Sequence, residues 1–258
     1  MGQADNSKST PCEEFSLALD SEVYQALHRS STATLANILL SHGLSNTFLL
    51  GLSPLSGAQE KLIGPAYTLR FIPAREDIDS MANYGSSENL HRRAIEECPP
   101  GAVLVIDSGR CVRAASAGDV MAARLQKRGV KGMITDGGFR DAKSIREVGL
   151  PAFQQQSAPP ATPIALHPVE LNGPVGCAGV AIYPGDIIVG DEDGVVAIPA
   201  HLVEQVAQES LRVSHYEEFV DLNIKRGRSI FGLFPSSTES LLEYERWVSS
   251  GKPGASEQ

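Results

Sequence analysis

From Asp20 to His42 the apolar residues Val23, Leu27, Leu35, Ile38 and Leu39 recur near helical spacing, interrupted by Ser30-Ser31-Thr32-Ala33-Thr34, whose hydroxyls suit a helix cap. The pattern predicts two short helices. Leu62 to Ile72, entered through Gly64-Pro65, reads as a strand, and Asn89 to Cys98 as a helix stopped by Pro99-Pro100. The apolar run Ala102 to Ile106 predicts the next strand, Val120 to Arg128 a helix closed by Gly129, and Gly132 to Thr135 a short strand ending at Asp136-Gly137-Gly138. Asp141 to Val148 then predicts a helix ending at Gly149, after which Pro151 restarts extended chain. Between Val175 and Pro199 short β-branched runs alternate with Pro-Gly-Asp and Asp-Glu-Asp-Gly turns, the pattern of a compact β region. Leu202 to Tyr216 and Ser240 to Val248 return to helical spacing. Residues 1–14 and the terminal GKPGASEQ are poor in core formers and read as loose tails.

The centre of the chain therefore reads as strand, helix, strand. In a right-handed crossover of this kind the helix begins and the second strand finishes at the same edge of the sheet. Asp119 opens the helix, and Arg140-Asp141 follows the second strand after twenty intervening residues. The spacing predicts that the three side chains converge. No internal repeat and no clear boundary divides the chain, so a single α/β domain is expected.

Composition narrows the function. A length of 258 residues with 42% hydrophobic positions supports a sizeable core. The net charge of −9, without a long basic run, opposes attraction to a phosphate backbone and argues against nucleic acid as a partner. Cys12, Cys98, Cys111 and Cys177 are scattered, signalling neither a thiolate metal site nor a disulfide framework, which fits a reducing compartment. The N-terminal MGQADNSKSTPCEE carries no signal-peptide run, no stretch is long enough to cross a bilayer, and Asn6 breaks the myristoylation pattern. The expectation is a soluble, cytoplasmic protein with no membrane partner.

Taken singly, Asp119 has an ordinary explanation as an acid favoured in a first helical turn capped by Ser116, and Arg140-Asp141 reads as a surface ion pair at a helix start. The combination says more. A carboxylate just outside a strand end can hold a hard divalent cation largely through water, and an adjacent Arg can grip a substrate carboxylate with two parallel donors. Backbone amides around Gly118, Val120 and Met121 would lie at the helix N-terminus, where unpaired N–H groups favour an anionic oxygen. These parts suit a small 2-oxo acid, its carboxylate on the Arg and its keto oxygen polarised by the cation. Other candidates are weaker. Asp191-Glu192-Asp193-Gly194 resembles the opening of a calcium loop, but Val195 and Leu202 stand where oxygen ligands are required, so a hairpin turn is expected. His28, His42, His91, His167, His201 and His215 lack metal-ligand spacing, and neither a nucleophile elbow nor a phosphate-cradling loop is present. Arg70, Arg75, Asp77 and Asp79 read as a solvated charged face with a minor substrate role left open.

The residues LLGLSPL from Leu49, IGPAYTLR, SAGD, TDGGFRD, PGDIIVGDEDGVVAIP and GRSIFGLFP together resemble the RraA-like family, which includes class II 4-hydroxy-4-methyl-2-oxoglutarate aldolases and regulators of ribonuclease E activity. The resemblance covers most of the chain apart from the tails. It implies a compact α-β-β-α sandwich resembling the swivelling phosphohistidine domain, with a tail at 1–14, a catalytic domain at 15–235, and a C-terminal helix and loose tail at 236–258. It further implies that Asp141 ligates Mg2+ or Mn2+, that Arg140 binds the pyruvyl carboxylate and steadies an enolate, and that Asp119 orients a water for proton transfer. The family's regulators typically lack the first acid, so Asp119 favours a metal-dependent aldolase, with oxaloacetate decarboxylation as a related activity. The alternative is a non-catalytic, protein-binding ribonuclease regulator. The resemblance also implies a homotrimer or homohexamer with clefts between subunits. A methyltransferase activity attached to the family by name finds no glycine-rich cofactor loop here.

Overall fold

The computed structural model describes residues 19–55 and 61–253. Two side-chain caps open it. The Asp20 carboxylate accepts from the Glu22 amide at the start of α1 (Ser21–Arg29), and the Ser31 hydroxyl accepts from the Thr34 amide at the start of α2 (Thr32–Ser41). Each bond satisfies an amide that the first helical turn leaves unpaired. There follow β1 (Ser53–Pro54), β2 (Leu62–Pro73), α3 (Met81–Tyr84) and α4 (Leu90–Glu97), the last capped by Asn89. The central segment comprises β3 (Val103–Asp107), β4 (Ala115–Ala117), α5 (Asp119–Lys127), β5 (Gly132–Thr135), β6 (Gly138–Phe139), α6 (Ala142–Val148) and β7 (Ala152–Gln154). The chain continues through β8 (Leu166–Leu171), β9 (Ile187–Asp191), β10 (Gly194–Ile198), α7 (Val203–Lys225) and α8 (Thr238–Ser249).

β2 joins the two halves of the sheet. Its residues Leu62 to Pro65 pair antiparallel with β9, whereas Ala66 to Arg70 pair parallel with β3. The resulting order is β1-β7-β5-β3-β2-β9-β10, with β8 beside the far end of β2. Because successive strand residues face opposite ways, each strand contributes to two cores. Val103 and Val105 of β3 meet Ile188 of β9 and Val195 and Ala197 of β10 in an inner core, so the two halves of the sheet lie face to face. Leu104 and Ile106 point outward to Ile95, Leu125 and Ile145 of α4, α5 and α6. On the far side, Ile187, Val189, Val196 and Ile198 pack against α1, α2 and α7. The layers are thus helices, sheet, sheet, helices, the α-β-β-α sandwich expected. Residues near β1 nearly close the sheet, since the Leu49 amide donates to Val195 O at 2.9 Å while Ser53 pairs with Gln154.

The Asp-Glu-Asp-Gly segment is a hairpin turn between β9 and β10, with Asp191 paired to Gly194. Its first carboxylate is structural, accepting from the Thr32 amide at 2.8 Å and the Thr32 hydroxyl at 2.6 Å, which ties α2 to the sheet. The helix expected to end at Tyr216 instead continues to Lys225, because Phe219 is buried against Leu233 and Trp247, on a segment distant in sequence. Among the described residues no helix is long and apolar enough to cross a membrane.

β5 starts in a tightly packed part of the sheet. A Cβ on Gly132 would lie 2.5 Å from the Leu62 side chain and 2.6 Å from the Pro151 carbonyl oxygen. Gly132→Ala is therefore expected to destabilise the protein by about 1–3 kcal/mol, the usual range for overpacking a core. Urea unfolding measures it, and an unchanged midpoint would refute the close packing described.

Candidate functional site

The parallel strands β2, β3, β5 and β7 finish at one edge, the position at which open α/β sheets place their ligands. Beyond that edge lies a second pairing that the sequence pattern does not predict. β4 and β6 form their own two-stranded parallel sheet, with Ala115 opposite Gly138 and Ala117 opposite Phe139. The Arg140 amide extends the pairing by donating to Ala117 O at 3.1 Å. Gly118-Asp119 and Arg140-Asp141 consequently leave the pair side by side.

Gly118 makes the approach close. A Cβ there would stand 2.9 Å from Arg140 Cγ and 3.1 Å from Asp141 Oδ2, so a side chain would displace the dyad. Gly118 is also the N-cap of α5 and supplies no capping side chain. Asp119, the first helical residue, takes that part itself, its Oδ1 accepting from the Val120 amide at 2.8 Å. Two expectations are corrected here. Ser116 does not cap the helix, because its hydroxyl is buried against Ser108 and Thr135. The Val120 amide, expected to face an anionic ligand, already serves Asp119, and the Val120 side chain is 75% exposed while Met121 is turned into the core.

Arg140 and Asp141 are both solvent-exposed, and Arg140 Nε donates to Asp141 Oδ2 at 2.9 Å. Among the described residues the two terminal guanidinium nitrogens of Arg140 have no protein partner, leaving a two-donor edge for a carboxylate. Asp141 occupies the left-handed region, at φ 58°, in the N-cap position of α6, yet its side chain caps nothing. Such a conformation costs a non-glycine residue about 1–2 kcal/mol, although Asp tolerates it better than most. Unrewarded strain of this kind is characteristic of functional positions.

Beneath the site lies a buried polar floor that sequence patterning missed. Asp136 accepts from the Ser108 amide at 2.7 Å, the Arg110 amide at 3.1 Å and the Ala178 amide at 3.3 Å. Burial raises its carboxyl above the usual carboxylate range, opposed by the amides that point at it. The available signal was a polar Thr135-Asp136 step closing an apolar strand. His91 is buried nearby, and burial pushes its imidazole down to about 3, keeping it neutral. In the charged segment flagged by the sequence, Arg70 pairs with Glu170 and Arg75 with Asp77, while Asp79 hydrogen-bonds His167.

No group of three or more His, Cys, Asp or Glu side chains among the described residues could cage a metal ion. The carboxylates of Asp141 and Asp119 do not suit zinc or a calcium cage. They suit a small hard cation that keeps most of its water and accepts one or two carboxylates.

Residues 32–197 match the model of the RraA-like family, described as Aldolase/RraA, and the chain belongs to that family. Protein DlpA of Legionella pneumophila is 27% identical over 209 residues, covering 80% of this chain and 32% of its own length. The 4-hydroxy-4-methyl-2-oxoglutarate aldolase of Thermus thermophilus is 33% identical over 112 residues, covering 43% of this chain and 66% of its own. Among solved structures, Streptomyces coelicolor RraAS2, described as an unusual member of the RNase ES inhibitor RraA protein family, superposes with a TM-score of 0.68 at 31% identity, over 79% of this chain and 98% of that one. The matches span about a third to two thirds of the length of these curated relatives.

Exposed ion pairs contribute about 0–1 kcal/mol. Asp141→Asn, which still tolerates the left-handed conformation, should therefore change stability by less than about 1 kcal/mol. Thermal and urea unfolding test this, and a loss of several kcal/mol would make the pair a structural element.

Proposed function

We propose that this protein is a divalent-metal-dependent lyase of the pyruvate aldolase type. It would cleave a 4-hydroxy-2-oxo acid, such as 4-hydroxy-4-methyl-2-oxoglutarate, and decarboxylate oxaloacetate as a related activity. The observation that carries the reading is the close approach of Gly118, the residue before Asp119, to an exposed Arg140-Asp141 dyad whose terminal guanidinium nitrogens have no partner among the described residues. Arg140 holds the substrate carboxylate in that fork, which fixes the neighbouring keto carbon over the head of α5. Asp141, with Asp119 nearby, would hold Mg2+ or Mn2+, which supplies Lewis-acid polarisation of a keto oxygen when bound.

Retro-aldol cleavage removes the proton of the 4-hydroxyl, breaks the bond between C3 and C4, and leaves the electron pair on the pyruvate enolate. Arg140 lies beside the developing negative charge. Asp119, at the solvent-facing head of its helix, moves protons through water, taking one from the hydroxyl and returning one to C3. The amides of Gly118 and Met121 remain candidates for the anionic oxygen. That of Val120 would join them only if the Asp119 carboxylate turned away. The same reading takes residues 15–235 as the catalytic unit of a cytoplasmic homotrimer or homohexamer.

Similarity to RraAS2 over most of the chain supports a second reading, a protein-binding ribonuclease regulator without catalysis. Pyruvate release from a panel of 4-hydroxy-2-oxo acids and oxaloacetate, with and without Mg2+ or Mn2+, separates the two. No release with any metal would favour the regulator.

Two substitutions test the roles. Arg140→Lys keeps the charge but loses the planar fork, and should lower kcat as well as raise KM. Asp119→Asn keeps the shape and loses the base. It should still bind pyruvate or oxalate with metal, yet turn over and exchange the methyl protons of pyruvate about 10²- to 10⁴-fold more slowly, the usual contribution of a positioned acid or base. Proton NMR in deuterated water follows that exchange. Parental rates in the Asn variant would remove Asp119 from the chemistry.

A further inference from the structure

Three buried hydroxyls meet behind the site. Ser108 Oγ lies 2.7 Å from Ser116 Oγ and 3.1 Å from Thr135 Oγ1, and Ser116 Oγ lies 2.9 Å from Thr135 Oγ1. Each hydroxyl offers one proton and two lone pairs, so a closed ring of three satisfies every donor. Thr135 Oγ1 has one acceptor position left, and the Gly137 amide fills it at 3.0 Å. The corners come from three segments: the residue after β3, the middle of β4, and the end of β5.

The location gives the ring its consequence. β4 lies outside the main sheet; its strand partner among the described residues is the two-residue β6, and its backbone is otherwise held at Ala115 by Pro160 O and the Thr162 hydroxyl and at Ala117 by the Arg140 amide. Gly118 provides no side-chain cap to hold the start of α5. Ser116, two residues before Gly118, is therefore the side chain that ties the strand delivering Asp119 to the end of β5, from which Arg140 and Asp141 follow. No slack separates the ring from the site. A Cβ on Gly137 would lie 2.6 Å from Cys111 O and 3.0 Å from Ser116 Oγ, and one on Gly118 would strike Arg140. An apolar contact at this junction would fill space without fixing direction, whereas a satisfied polar network fixes both.

We infer that the Ser108–Ser116–Thr135 hydroxyl ring is a positioning device that sets the separation between Asp119 and the Arg140-Asp141 dyad. The inference rests on the lyase reading of that site. None of the three hydroxyls touches substrate; they act through the backbone of β4 and of the loop after β5.

Thr135 offers a clean test because Val matches its shape without the hydroxyl and Ser keeps the hydroxyl without the methyl. Thr135→Val should lower kcat about 10- to 100-fold, the cost expected when reacting groups shift by a fraction of an ångström to an ångström, with KM changed far less. Thr135→Ser should recover most of that loss. Ser108→Ala removes another corner and should reproduce the valine phenotype, which covers the case in which Thr135→Val does not fold. Hydrogen exchange supplies a readout independent of activity, with faster exchange expected at the amides of 118–121 and 139–141 in the hydroxyl-deficient variants but not in Thr135→Ser. If the parent shows no lyase activity while this exchange pattern appears, the lyase reading fails and the positioning role stands. Parental kinetics and exchange in Thr135→Val or Ser108→Ala, or equal damage from Thr135→Ser and Thr135→Val, would overturn the inference.

Discussion

The contact between β4 and β6 is the interaction on which the candidate site depends. β4 has three residues and β6 two, and neither belongs to the eight-stranded sheet. The bodies of α5 and α6 are held by apolar burial, through Met121, Leu125 and Ile145. Such burial is strong but has no direction. It would keep both helices on the sheet even if their heads turned relative to one another. Hydrogen bonds are short and angular, and those at Ala117, Ser116 and Thr135 act at the heads, where direction matters.

The larger architecture makes this division possible. Two sheet halves packed face to face give β3 and β5 a core on each side, so the edge at which they end is rigid before any polar contact is added. Asp136 then joins the ends of β3 and β5 to the segment around Ala178. Asp191 performs a similar task elsewhere, joining α2 to β9. Each accepts at least one backbone amide far away in sequence, Asp136 from Ala178 and Asp191 from Thr32.

Much of this was legible in the residues themselves. The apolar run of β3 and the helical spacing of α5 sufficed to predict a crossover, and the crossover sufficed to bring the segments carrying Asp119 and Arg140-Asp141 to one edge. The motifs around them also carried the family resemblance, which the match over 32–197 bears out. What escaped was tertiary. Ala115 to Ala117 and Gly138-Phe139 are too short for a period of two to register. Ser116 invited a capping role because a hydroxyl before a helix favours one locally, and only Ser108 and Thr135, distant in sequence, explain its burial. The extra turns of α7 depend likewise on Phe219 meeting Leu233 and Trp247, which no local window contains.

The acids of the fold and of the site divide by what their oxygens do. Asp136 and Asp191 accept amides from other segments, and folding accounts for them. Among the described residues Asp119 bonds only the next amide in the chain, and Asp141 only the neighbouring Arg140, in contacts open to water. The Arg140-Asp141 pair contributes about 0–1 kcal/mol, against about 1–2 kcal/mol for a left-handed non-glycine residue and about 1 kcal/mol forgone by an N-cap Asp that does not cap. On balance these residues do not stabilise the fold, so stability does not explain their identity. A half-used guanidinium could serve a protein partner's carboxylate as well as a substrate's, but a strained, uncapping carboxylate beside it is the feature that the proposed lyase would use. A small oxo acid that must be gripped by its carboxylate and polarised at its keto oxygen would use both members of the dyad, and this is the physical ground for the proposal of a lyase.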